Sequence, residues 1–422
     1  MNISTFKAFR SRNYQLYFAG QSISLIGTWM QRTALYWLVY TQTDSEFMLG
    51  LIVFASQFPS FLFSPLGGVV SDRYNRYRVM LFTQIAAMIQ AVLLVVVILF
   101  TKYALWEIFA LSILLGIINA FDVPARQSLV HEIVADKDDL PNAIALNSSM
   151  VNLAWLIGPA VSGIVLEKLG AGICFLINAI SFIAVITSLL LMKFPKFIPQ
   201  KHTKKVLGEF KEGWEYLKHT PSIGFVILLI ASVSLLVLPY NTLLPVYAKV
   251  IFKGNATTFG YLNSAIGLGA IGGAIMLASL KTGVNLKRLL FIYLLVFGVG
   301  LILFSHITNF PMALVFSMLL GFGRMSQTTI SNTIVQTHVS QEMRGRVMGY
   351  FAMAFFGMMP LGGLLVGSAS QYIGTPNTIL AEGIAAILIA FLFFPFLRKE
   401  ILKTKDKIKL IELEDPSVKI DQ

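Results

Sequence analysis

Apolar stretches of roughly 20 or more residues alternate with short polar turns along the whole chain. The alternation occurs twelve times, near 14–40, 47–71, 79–100, 105–128, 142–167, 171–193, 222–247, 257–280, 288–306, 309–333, 347–370 and 376–397. A hydrocarbon layer about 30 Å thick is crossed by roughly 20 apolar helical residues. Each run therefore predicts one spanning helix, and the fold class is an all-α integral membrane protein. Only one polar interruption is long, and it splits the runs into six and six. The expected organisation is a first bundle over 1–193, a linker over 194–220, a second bundle over 221–397 and a basic tail over 398–422. Within the linker, Val206, Phe210, Trp214 and Leu217 recur at helical spacing among Lys204, Lys205, Lys211 and Lys218. That pattern predicts an amphipathic helix on a membrane surface.

Composition sharpens this reading. Hydrophobic residues make up 56% of the 422 and charged residues only 13%, which excludes a soluble globular domain. The segment from Met1 to Arg12 lacks a short apolar core with a cleavage site, so the first span is expected to be retained. The single cysteine, Cys174, lies inside an apolar run, which leaves no disulfide framework and no cysteine-based metal site. The net charge of +12 could indicate nucleic acid, but its distribution argues against that partner. With both termini placed in the cytoplasm, every Lys and Arg falls on the inner side except Lys102, Lys168, Lys249, Lys253 and the mid-span Arg32. This asymmetry fixes the orientation. Attraction to anionic lipid headgroups accounts for the basic charge.

Chemistry concentrates at a few positions. Residues 67–78, between the second and third runs, read Gly-Gly-Val-Val-Ser-Asp-Arg-Tyr-Asn-Arg-Tyr-Arg. Gly67 and Gly68 permit close helix approach, while Asp72, Arg73, Arg76 and Arg78 crowd a turn too short to be a domain. Asp122 and Arg126 stand i, i+4 and share a helix face if the helix persists through Pro124. They read either as a structural ion pair or as a gating and proton-relay pair. Gly158, Pro159 and Gly163 supply small residues and a bend for a helix seam.

Arg32 sits about 12 Å from the outer end of an otherwise uncharged span. With Gln21, Thr28 and Tyr36 it forms a polar stripe facing a central cavity. Its guanidinium suits a carboxylate, a phosphate or a catecholate-like oxygen cluster, or else it satisfies backbone carbonyls or Gln57. Comparable polar or aromatic positions are Gln57, Asn119, Asn152 and Trp155 in the first half, and Asn241, Asn263, Arg324 and Gln327 in the second. Together they describe a moderately polar cavity for an amphiphilic organic molecule. Glu382 has similar depth but lies on the last span, where the reading assigns it no partner. No Gly-Lys dipeptide occurs, which excludes a Walker A loop and an ATP-driven pump in this chain. His131-Glu132 lacks a second histidine, and no nucleophile elbow is present. No enzyme, cofactor or metal site is expected.

Gly68, Asp72, Arg73, Arg76 and, one residue displaced, Arg78 resemble the G-x-x-x-D-R-x-x-R-[RK] signature of the major facilitator superfamily. The stretch 154–163 resembles that family's antiporter motif, with Gly158, Pro159 and Gly163 in place but Ala154 and Ser162 where glycines are usual. Gly27-Thr-Trp-Met-Gln31, Asp122-Val-Pro-Ala-Arg-Gln127 and Leu140-Pro-Asn-Ala-Ile-Ala-Leu146 narrow the resemblance to the bacterial transmembrane secretion effector branch, which includes enterobactin exporters and macrolide efflux proteins. The resemblance implies twelve helices in two pseudo-symmetric halves. It also implies a monomeric exporter in the bacterial cytoplasmic membrane, exchanging protons for a siderophore or drug-like solute by alternating access. It makes the Asp72 turn an inner lock whose arginines engage an acid at the inner end of the fourth span, with Asp122 the candidate. A lysophospholipid translocator and a non-transporting scaffold are the alternatives.

Overall fold

The computed structural model describes residues 3–134, 136–194, 206–280 and 284–414. These form helices α1 (Arg12–Thr43), α2 (Glu46–Arg73), α3 (Arg76–Phe100), α4 (Leu105–Ile133), α5 (Leu140–Leu169), α6 (Ala171–Leu190) and α7 (Val206–His219). They continue as α8 (Pro221–Ile251), α9 (Ala256–Ala278), α10 (Leu286–Ser305), α11 (Phe310–His338), α12 (Arg344–Ile373) and α13 (Thr375–Glu414). Side-chain caps set several starts. Ser45, Asn75, Asn255, Asn285 and Asn309 each accept from the backbone N–H three residues on. Each satisfies an amide with no helical partner, worth ~1 kcal/mol. Gly170 and Gly374, with φ of 84° and 81°, make the tight turns from α5 to α6 and from α12 to α13. A side chain at either position would be strained.

Among the described residues, ten helices are long and apolar enough to cross a membrane. The long α1 and α11, of 32 and 29 residues, are too polar to join them. Gln21, Gln31 and Arg32 interrupt α1, and Arg324, Gln327 and Gln336 interrupt α11. Polar helices of spanning length are stable in lipid only with that face turned toward protein or water.

Two groups of helices result. In the first, α1 packs on α5 and α6, α2 on α4, and α3 on α4 and α6. In the second, α11 packs on α9 and α10, α10 on α13, and α8 against α11, α12 and α13. The groups meet mainly where α5 lies on α9 and α2 on α12. Buried apolar residues reflect this arrangement. One cluster, including Tyr14, Met80, Leu129 and Val185, belongs to the first group alone, at the end where the termini lie. The other runs across the seam at the far end, joining Leu35, Val39, Leu49 and Ile52 to Leu238, Tyr247, Phe259 and Val366.

Two rods are irregular for identifiable reasons. In α8, Pro239 and Pro245 interrupt the backbone ladder, and the chain passes through 3₁₀ geometry over Leu238–Leu243 and π geometry over Tyr247–Ile251. In α12, a π turn over Met353–Gly357 precedes Pro360, which cannot donate to the Phe356 carbonyl.

The expected surface helix forms as α7 but docks on protein. Glu212 pairs with Arg346 at 2.5 Å, Trp214 packs on Tyr350, and the Ser340 amide donates to the Tyr216 hydroxyl. The final helix does not stop at Leu397. It continues to Glu414, because no glycine or proline lies between Pro395 and Pro416 to end it sooner. Residues 195–205 of the expected linker and 415–422 of the expected tail lie outside the described residues.

Candidate functional site

At the far end, glycines hold the two groups together. A Cβ on Gly163 would lie 2.8 Å from the Ala256 carbonyl oxygen, and one on Gly260 would lie 2.5 Å from that of Pro159. Across α2 and α12, a Cβ on Gly50 would lie 2.5 Å from the Gly363 oxygen, and one on Gly367 would lie 2.5 Å from that of Glu46. Such spacing admits backbone against backbone and nothing larger. Polar ties reinforce it. Ser264 Oγ donates to the Leu156 carbonyl at 2.8 Å, Thr257 Oγ1 to that of Gly163 at 3.2 Å, and Asn255 Nδ2 to Glu167 Oε1 at 2.6 Å. Lys249 Nζ reaches Asp44 Oδ1 at 2.5 Å. Being exposed, that pair contributes about 0.2–1 kcal/mol. Pro159 and Gly163 thus lie in a seal between the groups, while Gly158 packs inward, where a Cβ would come 2.5 Å from Trp29 Cβ.

Below this seal the two polar helices face each other through aromatic rings. Arg32 Nε donates to the Tyr36 hydroxyl at 3.0 Å, and Gln57 Nε2 donates to the same oxygen at 3.3 Å. The Arg32 guanidinium lies 5.1 Å from the Trp29 ring centroid. Trp29 stacks on Trp155 at 5.9 Å, and Trp155 carries the Arg324 guanidinium at 5.0 Å. The order Arg32, Trp29, Trp155, Arg324 crosses the seam from α1 through α5 to α11. Each cation–π contact supplies ~0.5–2 kcal/mol, the upper value when desolvated. Neither arginine is paired with a carboxylate among the described residues. A guanidinium stacked on a ring keeps its in-plane N–H groups for an oxyanion, and the rings offer flat apolar surface beside it.

The other sequence-derived positions divide. Tyr36, Gln57, Trp155 and Arg324 join Arg32. Gln21 is buried, and its Oε1 has no partner among the described residues. Thr28 Oγ1 donates to the Ser24 carbonyl, and Asn263 Nδ2 to that of Phe259, each within its own helix. Gln327 is buried and, among the described residues, bonds to Ser331 and Thr328 of its own helix α11. Asn119 and Asn152 are half-buried, and Asn241 holds an enclosed Oδ1 without a partner. Trp29, central to the ladder, carries a signal that was in the sequence. It lies three residues before Arg32 and therefore on the same helix face.

At the terminal end the described contacts of the Asp72 turn stay within the first group. Gly67, not Gly68, makes the close approach: a Cβ there would collide with the Ala120 carbonyl of α4, whereas one on Gly68 would meet open space. Arg76 pairs with Glu132 at 2.7 Å. The expectation that Asp122 receives these arginines is therefore corrected. Asp122 is buried inside the first group, where its Oδ1 accepts from Thr83 Oγ1 at 2.9 Å and Gln84 Nε2 at 2.7 Å, while Oδ2 faces Arg126 Nε at 3.6 Å. The physical reason is reach: Glu132 lies near the end of α4, level with the turn, and Asp122 lies nearly three helical turns deeper. The helix does persist through Pro124. Arg73 and Arg78 are exposed. Asp72 ends α2 beside Arg73, and its side chain lies outside the described set.

Residues 3–421 match the sequence model of the transmembrane secretion effector family. Relatives include a staphyloferrin A transporter of Staphylococcus aureus, 27% identical over 92% of this chain and 98% of that one. The multidrug efflux pump Tap of Mycolicibacterium fortuitum is 23% identical over 92% and 95%. The enterobactin exporter EntS of Escherichia coli is 24% identical over 93% of both chains. Among solved structures, a POT family transporter in complex with 5-aminolevulinic acid superposes with a TM-score of 0.73 at 14% identity, covering 92% of this chain and 96% of that one. The nucleoside transporter NupG does so at 0.71 and 14%, covering 91% and 98%. These likenesses establish the fold alone.

Proposed function

Because the chain belongs to the transmembrane secretion effector family, we propose that it exports an amphiphilic organic anion, of siderophore or drug-like size, by proton antiport through alternating access. The observation that carries this reading is the ladder of Arg32, Trp29, Trp155 and Arg324. It places two carboxylate-free guanidinium groups and two indole rings on the seam, beneath a sealed far end. In this reading α1 and α11 complete a set of twelve spans in two pseudo-symmetric halves acting as a monomer. The positive-inside distribution makes the terminal end cytoplasmic in a bacterial cytoplasmic membrane, so this conformation accepts cargo from the cytoplasm. Tap and EntS are efflux or export proteins by name, which favours outward transport.

The chemistry follows from the residues. Cargo with an oxyanion binds the free N–H edges of Arg32 and Arg324, and its flat apolar part lies on Trp29 and Trp155. Opening the far end separates α5 from α9 and α2 from α12, while the Asp72 turn closes the opposite end. The test is export from cells with and without the protein, under an imposed proton gradient or none, using staphyloferrin A, enterobactin, a macrolide and a labelled lysophospholipid. The reading expects gradient-dependent export of an anionic solute. Movement of the lysophospholipid alone would replace it with a lipid translocator.

A further inference from the structure

The last helix, to whose acid the sequence assigns no partner, buries that acid in the second group. Glu382 of α13 is only 3% exposed, and among the described residues neither carboxylate oxygen has a hydrogen-bond partner. It sits about 10 Å along the helix from the far end. The titratable groups facing it are Tyr240 and Tyr247, from the broken stretch of α8. Tyr247 is already committed, donating to the Ser305 carbonyl at 2.5 Å. Tyr240 lies between the two sites: its buried hydroxyl is a hydrogen-bonding neighbour of the Arg324 guanidinium, though outside good hydrogen-bond geometry, and it is within electrostatic range of Glu382. Arg324 Nη1 is likewise enclosed. Beside Glu382, α10 contributes the backbone around Gly298 and Ile302 to its neighbour Gly383, and between Leu289 and Ser305 it carries no charge. From Val347 to Ile373, α12 carries no charged residue.

An ionised carboxylate enclosed in this way without a cation or donor costs several kcal/mol, whereas a neutral carboxylic acid does not. We infer that Glu382 is a proton-exchange site of the second helix group and that it is linked to the cargo arginine Arg324 through Tyr240. The inference deepens the proton-antiport reading and rests on it. In the conformation seen here the carboxyl holds its proton. When the α8 break rearranges and water reaches the carboxyl, the O–H bond breaks, the proton passes to water, and the electron pair stays on a carboxylate that Tyr240 can then donate to. Reprotonation from water on the opposite side restores the neutral acid. The Tyr240 hydroxyl turns toward Glu382 only when that group is charged, which changes its disposition toward Arg324 and hence the anion site.

The experiment uses the full-length protein in lipid vesicles. Infrared difference spectra between pH 5 and pH 9 should show a protonated-carboxyl band that Glu382→Gln removes and Glu382→Asp retains at a shifted position. In the same vesicles, transport of staphyloferrin A, enterobactin and a macrolide is compared with and without a pH gradient. Glu382→Gln should lose gradient-driven accumulation at least tenfold while keeping gradient-free exchange of the same probe within about twofold. Tyr240→Phe should keep the carboxyl band but reduce coupling. A wild-type band that survives Glu382→Gln, or gradient-driven accumulation unchanged by it, overturns the assignment of Glu382. A wild type indifferent to the pH gradient for every probe overturns the proton-antiport reading itself, whatever the variants do.

Discussion

Arg324 of α11 rests its guanidinium 5.0 Å from the ring centroid of Trp155 on α5, so the two helix groups share a cation–π contact beneath the far-end seal. The contact joins one of the two helices too polar to pass as an apolar span to the helix that bears the antiporter-like Gly158-Pro159 pair. Conformational change must therefore either preserve this contact as a pivot or exchange it for cargo.

If the contact is exchanged for cargo, Arg324→Ala and Arg32→Ala should each weaken binding of an anionic probe while sparing a neutral one. A cation–π contact plus one charge-assisted hydrogen bond amounts to ~2–4 kcal/mol. The expected loss is therefore on the order of 30- to 1000-fold in affinity. Lysine at either position should recover only part of it, because it cannot present a planar fork. Equilibrium binding to the purified protein decides this, and equal affinities in wild type and the double variant would reject the anion site.

The far-end seal yields a second expectation. Leucine at Gly163 or Gly50 would need room now occupied by the Ala256 or Gly363 backbone. These substitutions should drive α5 from α9, or α2 from α12, and populate a conformation open at the far end. Overpacking of this kind costs about 1–3 kcal/mol, enough to shift a two-state equilibrium of similar gap. The readout is thiol labelling of Thr257→Cys in a Cys174→Ser background, a mild change because Cys174 is buried and free. Labelling in Gly163→Leu should rise several-fold over the unsubstituted reporter. No rise would show that the seal tolerates the side chain.

Much of this was legible in the chain, and the gaps have physical causes. Helix positions followed from hydropathy because lipid leaves a spanning backbone few alternatives. The polar α1 and α11 were also read as spans, and their polarity is what places Arg32 and Arg324 on the seam. Pairing across helices was harder. Asp122 was matched to the arginines of the turn because the resemblance points to one end of a helix and not to a depth along it, and Glu132 lies nearer the turn. Glu382 was dismissed for its place on the last helix, although that helix packs firmly on α10 and encloses it. The spacing of Trp29 to Arg32 put the two on one helix face, but its stacking on Trp155 of another helix leaves no mark on local spacing.

Asp122 and Glu132 of α4 should separate by stability. Asp122 is buried and holds Thr83, Gln84 and Arg126. Asp122→Asn leaves a half-buried arginine without its carboxylate and should cost about 1–3 kcal/mol. Glu132→Gln breaks a bridge whose side chains are 29% and 36% exposed, and exposed pairs of this kind cost no more than about 1 kcal/mol. Thermal unfolding in detergent should thus drop clearly for Asp122→Asn and little for Glu132→Gln. If the Asp72 turn is an inner lock, Glu132→Gln should nonetheless slow transport. An unchanged melting temperature for Asp122→Asn would remove its structural role.

Adjacent glycines provide the sharpest separation of folding from movement. A side chain at Gly67 collides with the Ala120 carbonyl, so Gly67→Leu must push α2 from α4 and should destabilise the first group by roughly 1–3 kcal/mol or more. Gly68 faces open space. Leucine there should leave stability unchanged or slightly higher, since glycine is a poor helix former by about 0.8–1 kcal/mol. If the open face of Gly68 is the surface on which the second group closes, Gly68→Leu should abolish transport while the protein stays folded, monodisperse and able to bind cargo from the terminal side. Thermal unfolding, cargo binding and vesicle transport measured on both variants separate the cases. Wild-type transport by Gly68→Leu would mean that no helix ever closes on that face.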